Sequence, residues 1–301
     1  MKKCLYLLLI LLLLPLAVHA DDSGTCGNNV SYVYEEATGT LTISGTGAMQ
    51  NYSYSSSAPW SSYKSDIKKL VLNEGVTSIG DYAFSDCSGL TSIEFPNSVT
   101  SINDWAFFGC SGLTSIVIPN SVTSIGGSAF YNCGGLTSIE IPKSVTNIGN
   151  YAFAGCSGLT SVTCLAESVP TTDSNAFYNS PISSATLYVP VGSKAAYEAA
   201  DVWKDFKKII EINDYGSCGD NVSYVYEEAT GTLTISGTGA MQNYSNSSSA
   251  PWSSYKSDIK KLVLNEGVTS IGDYAFYGCS GLTSIEISNS VTSIGSGAFY
   301  N

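Results

Sequence analysis

The chain has 301 residues, 13 Lys+Arg against 25 Asp+Glu, a formal charge of −12 and one histidine. All 13 basic residues are lysines. An acidic, arginine-free chain lacks the positive field and the bidentate forks that nucleic-acid and phosphate recognition rely on, so nucleic acid is not an expected partner.

Met1-Lys-Lys, the apolar run Leu5 to Leu16 and Ala17-Val-His-Ala20 have the basic, apolar and small-residue regions of a secretory signal peptide over 1–20. The alternative, a transmembrane anchor, needs an apolar run of roughly 20 residues, and this one is shorter. Cys4 precedes the run, so it is not a lipoprotein attachment site. Residues after 20 contain no second long apolar stretch, which implies an exported protein, extracellular or at the cell surface, with no membrane insertion after cleavage. Cleavage removes His19, the single imidazole, and with Lys2 and Lys3 gone the charge moves from −12 to −14. A Ser-His-Asp triad and Cys-His chemistry are thereby excluded.

Residues 21–66 read as an N-terminal cap. Cys26-Gly is followed by Val30-Ser-Tyr-Val-Tyr-Glu35 and Thr40-Leu-Thr-Ile-Ser44, two strands around a glycine-containing turn, and a Ser/Tyr-rich loop then ends in Ala58-Pro-Trp60. Repeats fill 67–190. Cys87, Cys110, Cys133 and Cys156 are 23 residues apart, each closing Val-Thr-Ser/Asn-Ile-x-x-x-Ala-Phe-x-x-Cys before x-Gly-Leu-Thr-Ser-Ile/Val. A fixed period of roughly 20 to 29 residues with such a core predicts a leucine-rich-repeat solenoid, mainly β, with short helical or irregular return segments. In Leu113-Thr-Ser-Ile116-Val-Ile118 and its equivalents the last apolar positions are two apart, the strand period. The second apolar set, Val99, Ile102, Ala106, Phe107 and Cys110, contains the spacing of one helical turn, and Phe84, Phe107, Phe130 and Phe153 should form an interior ladder.

A strand at Ala185-Thr-Leu-Tyr-Val-Pro190 and a helix capped by Ser193 through Tyr197, Ala200, Trp203 and Phe206 predict a helical C-terminal cap over 191–213. Residues 214–217 read as a linker. Residues 26–94 and 218–286 then align at an offset of 192 with four differences, Asn28/Asp220, Tyr54/Asn246, Ser85/Tyr277 and Asp86/Gly278. The second module comprises a cap over 218–258 and a repeat array over 259–301. It stops one residue before its next cysteine, which suggests a truncated frame with an apolar end prone to fraying or end-to-end association.

The phrase Ile118-Pro-Asn-Ser-Val-Thr-Ser-Ile-Gly-Gly-Ser-Ala-Phe-Tyr-Asn-Cys133 resembles the BspA-like leucine-rich repeats of bacterial secreted and cell-surface proteins, over roughly 67–190 and 259–301. The cap phrases Gly-Thr-Leu-Thr-Ile-Ser-Gly-Thr-Gly-Ala-Met and Leu-Tyr-Val-Pro-Val-Gly-Ser-Lys-Ala-Ala-Tyr resemble those flanking such arrays. The resemblance implies the fold, and adhesion to host or extracellular-matrix proteins as one role among several. It brings no residue-level binding motif.

The cysteines of the repeat are expected as a buried column of small apolar side chains. Disulfides between coils and a metal site are the alternatives, the first opposed by parallel side-chain geometry and the second by a one-dimensional column without histidine. Cys26 and Cys164 are left unassigned. Neither a cofactor, a metal nor a catalytic residue is expected. Glu94 and Glu140, at one strand position two coils apart and so roughly 10 Å from each other, are the one carboxylate pair to consider for glycan processing.

The outward strand positions remain. Ser92 and Glu94, Ser115 and Val117, Ser138 and Glu140, and Ser161 and Thr163 should line the sheet in rows, either as a contact surface for a protein, matrix or glycan ligand or simply as a solvated face. Tyr82, Trp105 and Tyr151 form a second row before each Ala-Phe, interrupted by Ser128, suited either to aromatic contacts or to packing between coils. A binding module and a spacer or display stalk are thus the two leading functional classes.

Overall fold

The computed structural model describes residues 22–54, 56–212, 214–219, 222–245 and 249–300, so the expected signal peptide lies outside the described residues. Each coil of the solenoid contributes two parallel strands. The front strands are Lys69–Leu72, Ser92–Glu94, Ser115–Val117, Ser138–Ile141, Ser161–Cys164 and Thr186–Pro190. The back strands are Val76–Ile79, Ser101–Ile102, Ser124–Ile125, Asn147–Ile148 and Thr171–Thr172, in one six-stranded parallel sheet that starts at Gly47–Ala48. Register advances by one repeat per coil, as in Ile116 opposite Ile139 and Ile139 opposite Val162.

Of the helical and irregular readings of the return segment, the irregular one holds. Ala106, Phe107 and Cys110 lie in a chain of turns without helix, because two left-handed residues four apart, Trp105 (φ 60°) and Gly109 (φ 71°), break the right-handed run. The N–H groups of Trp105, Phe107 and Gly109 point toward the next coil, where they donate to Gly127, Ala129 and Tyr131 carbonyls at 2.8–2.9 Å. The turn is therefore held by its neighbours, and the stacking that buries the apolar face also satisfies the backbone.

The core is a set of columns. Phe84, Phe107, Phe130 and Phe153 are fully buried, with centroids 5.3, 5.3 and 5.4 Å apart and rings near parallel. Beside them Cys110, Cys133 and Cys156 are buried, free thiols whose Sγ donates to the carbonyl of Phe84, Phe107 and Phe130 at 3.2–3.4 Å. In the coil carrying one extra residue, Ser180 takes the same role and donates to the Phe153 carbonyl at 2.7 Å.

Both ends of this core are closed by tryptophan. Trp60 stacks on Phe84 at 5.5 Å, and its indole N–H donates to the Ala83 carbonyl at 2.9 Å, the group that a preceding coil would otherwise bond. Trp252 repeats this on Phe276 and Ala275. At the far end Trp203 and Phe206 meet Phe177 edge-on.

The C-terminal cap differs from a single helix. The α-helix covers Lys194–Ala199, the chain turns extended at Ala200, and a 3-10 turn spans Trp203–Asp205. Ser193 does not cap a helix N–H; its hydroxyl donates to the Pro190 carbonyl at 2.6 Å. The reason is topological: Lys208–Ile212 pairs parallel with Thr186–Pro190, and a parallel return needs a crossover, so the helix must end early. The expected linker 214–217 is also structured, as part of the strand Asp214–Gly219 that pairs with Val222–Glu227. Buried apolar residues fall into two clusters, one from Cys26 to Ile209 and one from Cys218 to Ala298.

Candidate functional site

Along the front strands burial alternates, as in Ser138–Ile141, whose Ile139 and Ile141 face the core while Ser138 and Glu140 face outward. Ser92, Glu94, Val117, Ser161 and Thr163 are likewise outward and half-buried, whereas Ser115 is only 7% exposed. Glu94 bonds Lys69 at 2.6 Å on the neighbouring strand. The front ladder is interrupted between Ser92–Glu94 and Ser115–Val117, which belong to separate sheets.

The cap hairpin of the second module, with the turn at Glu266 that follows the strand Lys261–Leu264, lies against this face. Ser223 donates to the Glu140 carboxylate, Thr238 Oγ1 donates to the Ile93 carbonyl at 2.9 Å beside the interrupted ladder, and Ser115 Oγ donates to the Glu266 carbonyl at 3.3 Å. Six of the eight outward residues, Ser115, Val117, Ser138, Glu140, Ser161 and Thr163, line a cavity of about 310 Å³ closed on the other side by Val225, Glu227, Thr234 and Lys261. A second cavity of about 380 Å³ lies between Asn120, Lys143 and Tyr215. Glu140 borders both. Burial pushes its carboxyl up to about 7, against the opposing effect of the Ser223 hydroxyl.

Glu94 and Glu140 are not brought together as a catalytic pair, since one is engaged by Lys69 and the other by Ser223. Ser223, Thr238 and Glu266 were not legible as site residues. Their segments are identical in the two copies, and nothing in the chain marks which copy docks.

A family model described as the BspA type leucine rich repeat region matches residues 61–183 and 253–301 in 6 copies. The chain belongs to the BspA-type leucine-rich-repeat family. Solved structures similar to it include a leucine-rich repeat protein from Eubacterium ventriosum at 23% identity and TM-score 0.40, with 93% of this chain and 63% of that one covered. This chain thus spans less than two thirds of that protein. A leucine-rich repeat protein from Bacteroides ovatus is 21% identical, TM-score 0.38, covering 91% and 79% of the two chains. A leucine rich cell surface protein from Faecalibacterium prausnitzii is 20% identical, TM-score 0.38, covering 93% and 80%. No curated protein matches the chain.

In this BspA-type array the aromatic row is more continuous than its sequence spacing suggests. Tyr82 stacks on Trp105 at 5.6 Å, and Tyr131, absent from the expected row, bridges the gap at Ser128 by meeting Trp105 at 6.2 Å and Tyr151 at 6.1 Å. Tyr178, 53% exposed, extends it. Tyr82, Trp105 and Tyr151 are left-handed and half-buried. For the thiols, burial raises Cys87 and Cys156 to about 12 and holds Cys110 and Cys133 well above the ordinary thiol range, which removes the thiolate that metal binding or nucleophilic attack needs. Among the described residues no group of His, Cys, Asp and Glu could hold a metal ion, and no helix is long and apolar enough to cross a membrane.

Proposed function

We propose that the chain is a non-enzymatic binding protein, exported and displayed at the bacterial surface, that contacts a protein or matrix ligand through the front sheet of its first module. The observation that carries this reading is that the sheet already seats a polypeptide surface, through a carboxylate, an open carbonyl and a serine hydroxyl. Small hydroxyls both donate and accept, so they can pair with a partner's backbone as Ser115 does, which suits a broad contact. Ser161 and Thr163, which line the cavity, are the entry point for a ligand, and Tyr178, Tyr151 and Trp105 supply a second, aromatic strip.

The test is binding of the full chain to immobilised fibronectin, fibrinogen, other matrix proteins and glycans, with Thr163→Arg as the control. Binding to a member of the panel that weakens about tenfold or more in Thr163→Arg is expected for a contact in the buried centre of an interface. Absence of binding across the panel, or binding indifferent to Thr163→Arg, contradicts it. A glycan hydrolase screen is expected to be silent; activity abolished in both Glu94→Gln and Glu140→Gln would replace this reading with an enzymatic one.

A further inference from the structure

Val30–Glu35 and Val222–Glu227 have the same sequence, Val-Ser-Tyr-Val-Tyr-Glu, and the same strand pairing, yet their outward faces differ in burial. In the first module Ser31 and Glu35 are exposed and Val33 is 41% exposed. In the second, Ser223 is 7% exposed and Val225 and Glu227 are half-buried. Sequence and local structure are held constant, so the difference comes from what lies opposite: the front sheet of the first module.

The other docking groups have the same property. Thr238, which donates to the Ile93 carbonyl, corresponds to the exposed Thr46, and Glu266, whose carbonyl accepts from Ser115, corresponds to the exposed Glu74. The first module therefore carries on its surface the full set of groups that the second uses to dock, and among the described residues this set docks on no front sheet. We propose that the cap hairpin is a homotypic ligand for the front sheet, so that the partner fitted by Ser31, Val33 and Thr46 is the front sheet of a second copy of this chain. The proposal rests on the reading of the front sheet as a contact surface and names its partner.

The contact is heterologous, cap to sheet, so copies joined through it run head to tail instead of closing as a two-fold dimer. Within one chain the second module occupies the sheet first. Only position 213 separates the strand Lys208–Ile212 from the strand Asp214–Gly219, and such a short tether gives the cis occupant a high effective concentration. Opening the cis contact exposes the receptor to the Val33 face of another copy.

The experiment is weight-average mass against concentration for the full chain, with small-angle scattering on the same samples. The wild type and Val33→Arg are expected to be compact and to share one mass at each concentration, so that any association through the exposed Ile285 and Ile294 of the last coil is common to all variants. Val225→Arg, and independently Thr238→Arg, should open the cis contact and raise the mass about twofold or more with concentration, as head-to-tail joining requires. Adding Val33→Arg to either should return it to the wild-type mass. The same substitution in the same hexapeptide, at Val33, controls for folding. An opened chain that keeps the wild-type mass overturns the homotypic partner alone, whereas Val225→Arg and Thr238→Arg that both stay compact overturn the front sheet as the seat of the contact.

Discussion

Each cysteine of the column combines a small apolar volume with a weak donor, and the second property explains its spacing. In Cys110, Cys133 and Cys156 the thiol reaches back 26 residues to a phenylalanine carbonyl of the preceding coil, which also accepts the N–H of the cysteine three residues after it. Ser180 does the same where the repeat has slipped, so the hydrogen bond and not the sulfur is what the position requires. The neighbouring phenylalanine ladder contributes packing. Phe107 is fully buried between Phe84 and Phe130, and Phe107→Ala should lose about 3–5 kcal/mol in a urea melt, by transfer and cavity terms. A loss below about 1 kcal/mol would mean that the coils do not share one core there. Asp86, Gly109, Asn132 and Gly155 fill the second left-handed position of each turn, with the residue types that tolerate it, so this half of the turn geometry is legible in the sequence. The first left-handed position, at Tyr82, Trp105, Ser128 and Tyr151, carries no such mark, because its conformation is imposed by the neighbouring coils.

At the scale of elements, two devices matter: the indole cap and the docked hairpin. Trp60 imitates a coil that is not there, offering both a ring for Phe84 and a donor for Ala83. Trp60→Phe keeps the ring and leaves a buried carbonyl unpaired, so chemical denaturation should show a loss of about 1–3 kcal/mol. An unchanged midpoint would remove the donor from the account. The hairpin contact depends on pH through Glu140. Around that carboxyl stand Ser223 and Cys218 on the docked cap, Glu227 and Lys261 across the cavity, Lys143 in its own coil's loop and Tyr188 on the sheet. Burial holds its pKa at about 7 against the ordinary 4.5, and the docked cap covers this carboxyl through Ser223, so the docked state holds the proton more tightly than a solvated one. The contribution to docking is then complete below 4.5 and is lost as pH rises through about 7. Scattering at about pH 5 and about pH 8.5 should show a more open pair of modules at the higher value, and Glu140→Gln should flatten the difference. An equal response in Glu140→Gln would assign the pH dependence elsewhere.

For the whole molecule, the period of 23 residues announces a solenoid, since a column of cysteines and one of phenylalanines at one spacing has few other physical solutions. The alternation in Ser138-Ile-Glu-Ile141 likewise announces which residues face outward. What lies against that face was not legible. Val33 and Val225 occupy the same hexapeptide, and long-range docking distinguishes them where local sequence does not. The helix after Ser193 ends at Ala199, short of Phe206, for a related reason: three-residue spacing reports an apolar face, while the parallel pairing of Lys208–Ile212 that shortens the helix is set far along the chain. Recognition by the front sheet of the first module, engaged in cis by the second, is read out by small-angle scattering of wild type, Val33→Arg and Val225→Arg at concentrations low enough to keep each monomeric. One compact profile shared by the wild type and Val33→Arg and a larger maximum dimension for Val225→Arg are expected, and three superimposable profiles would rule out that engagement.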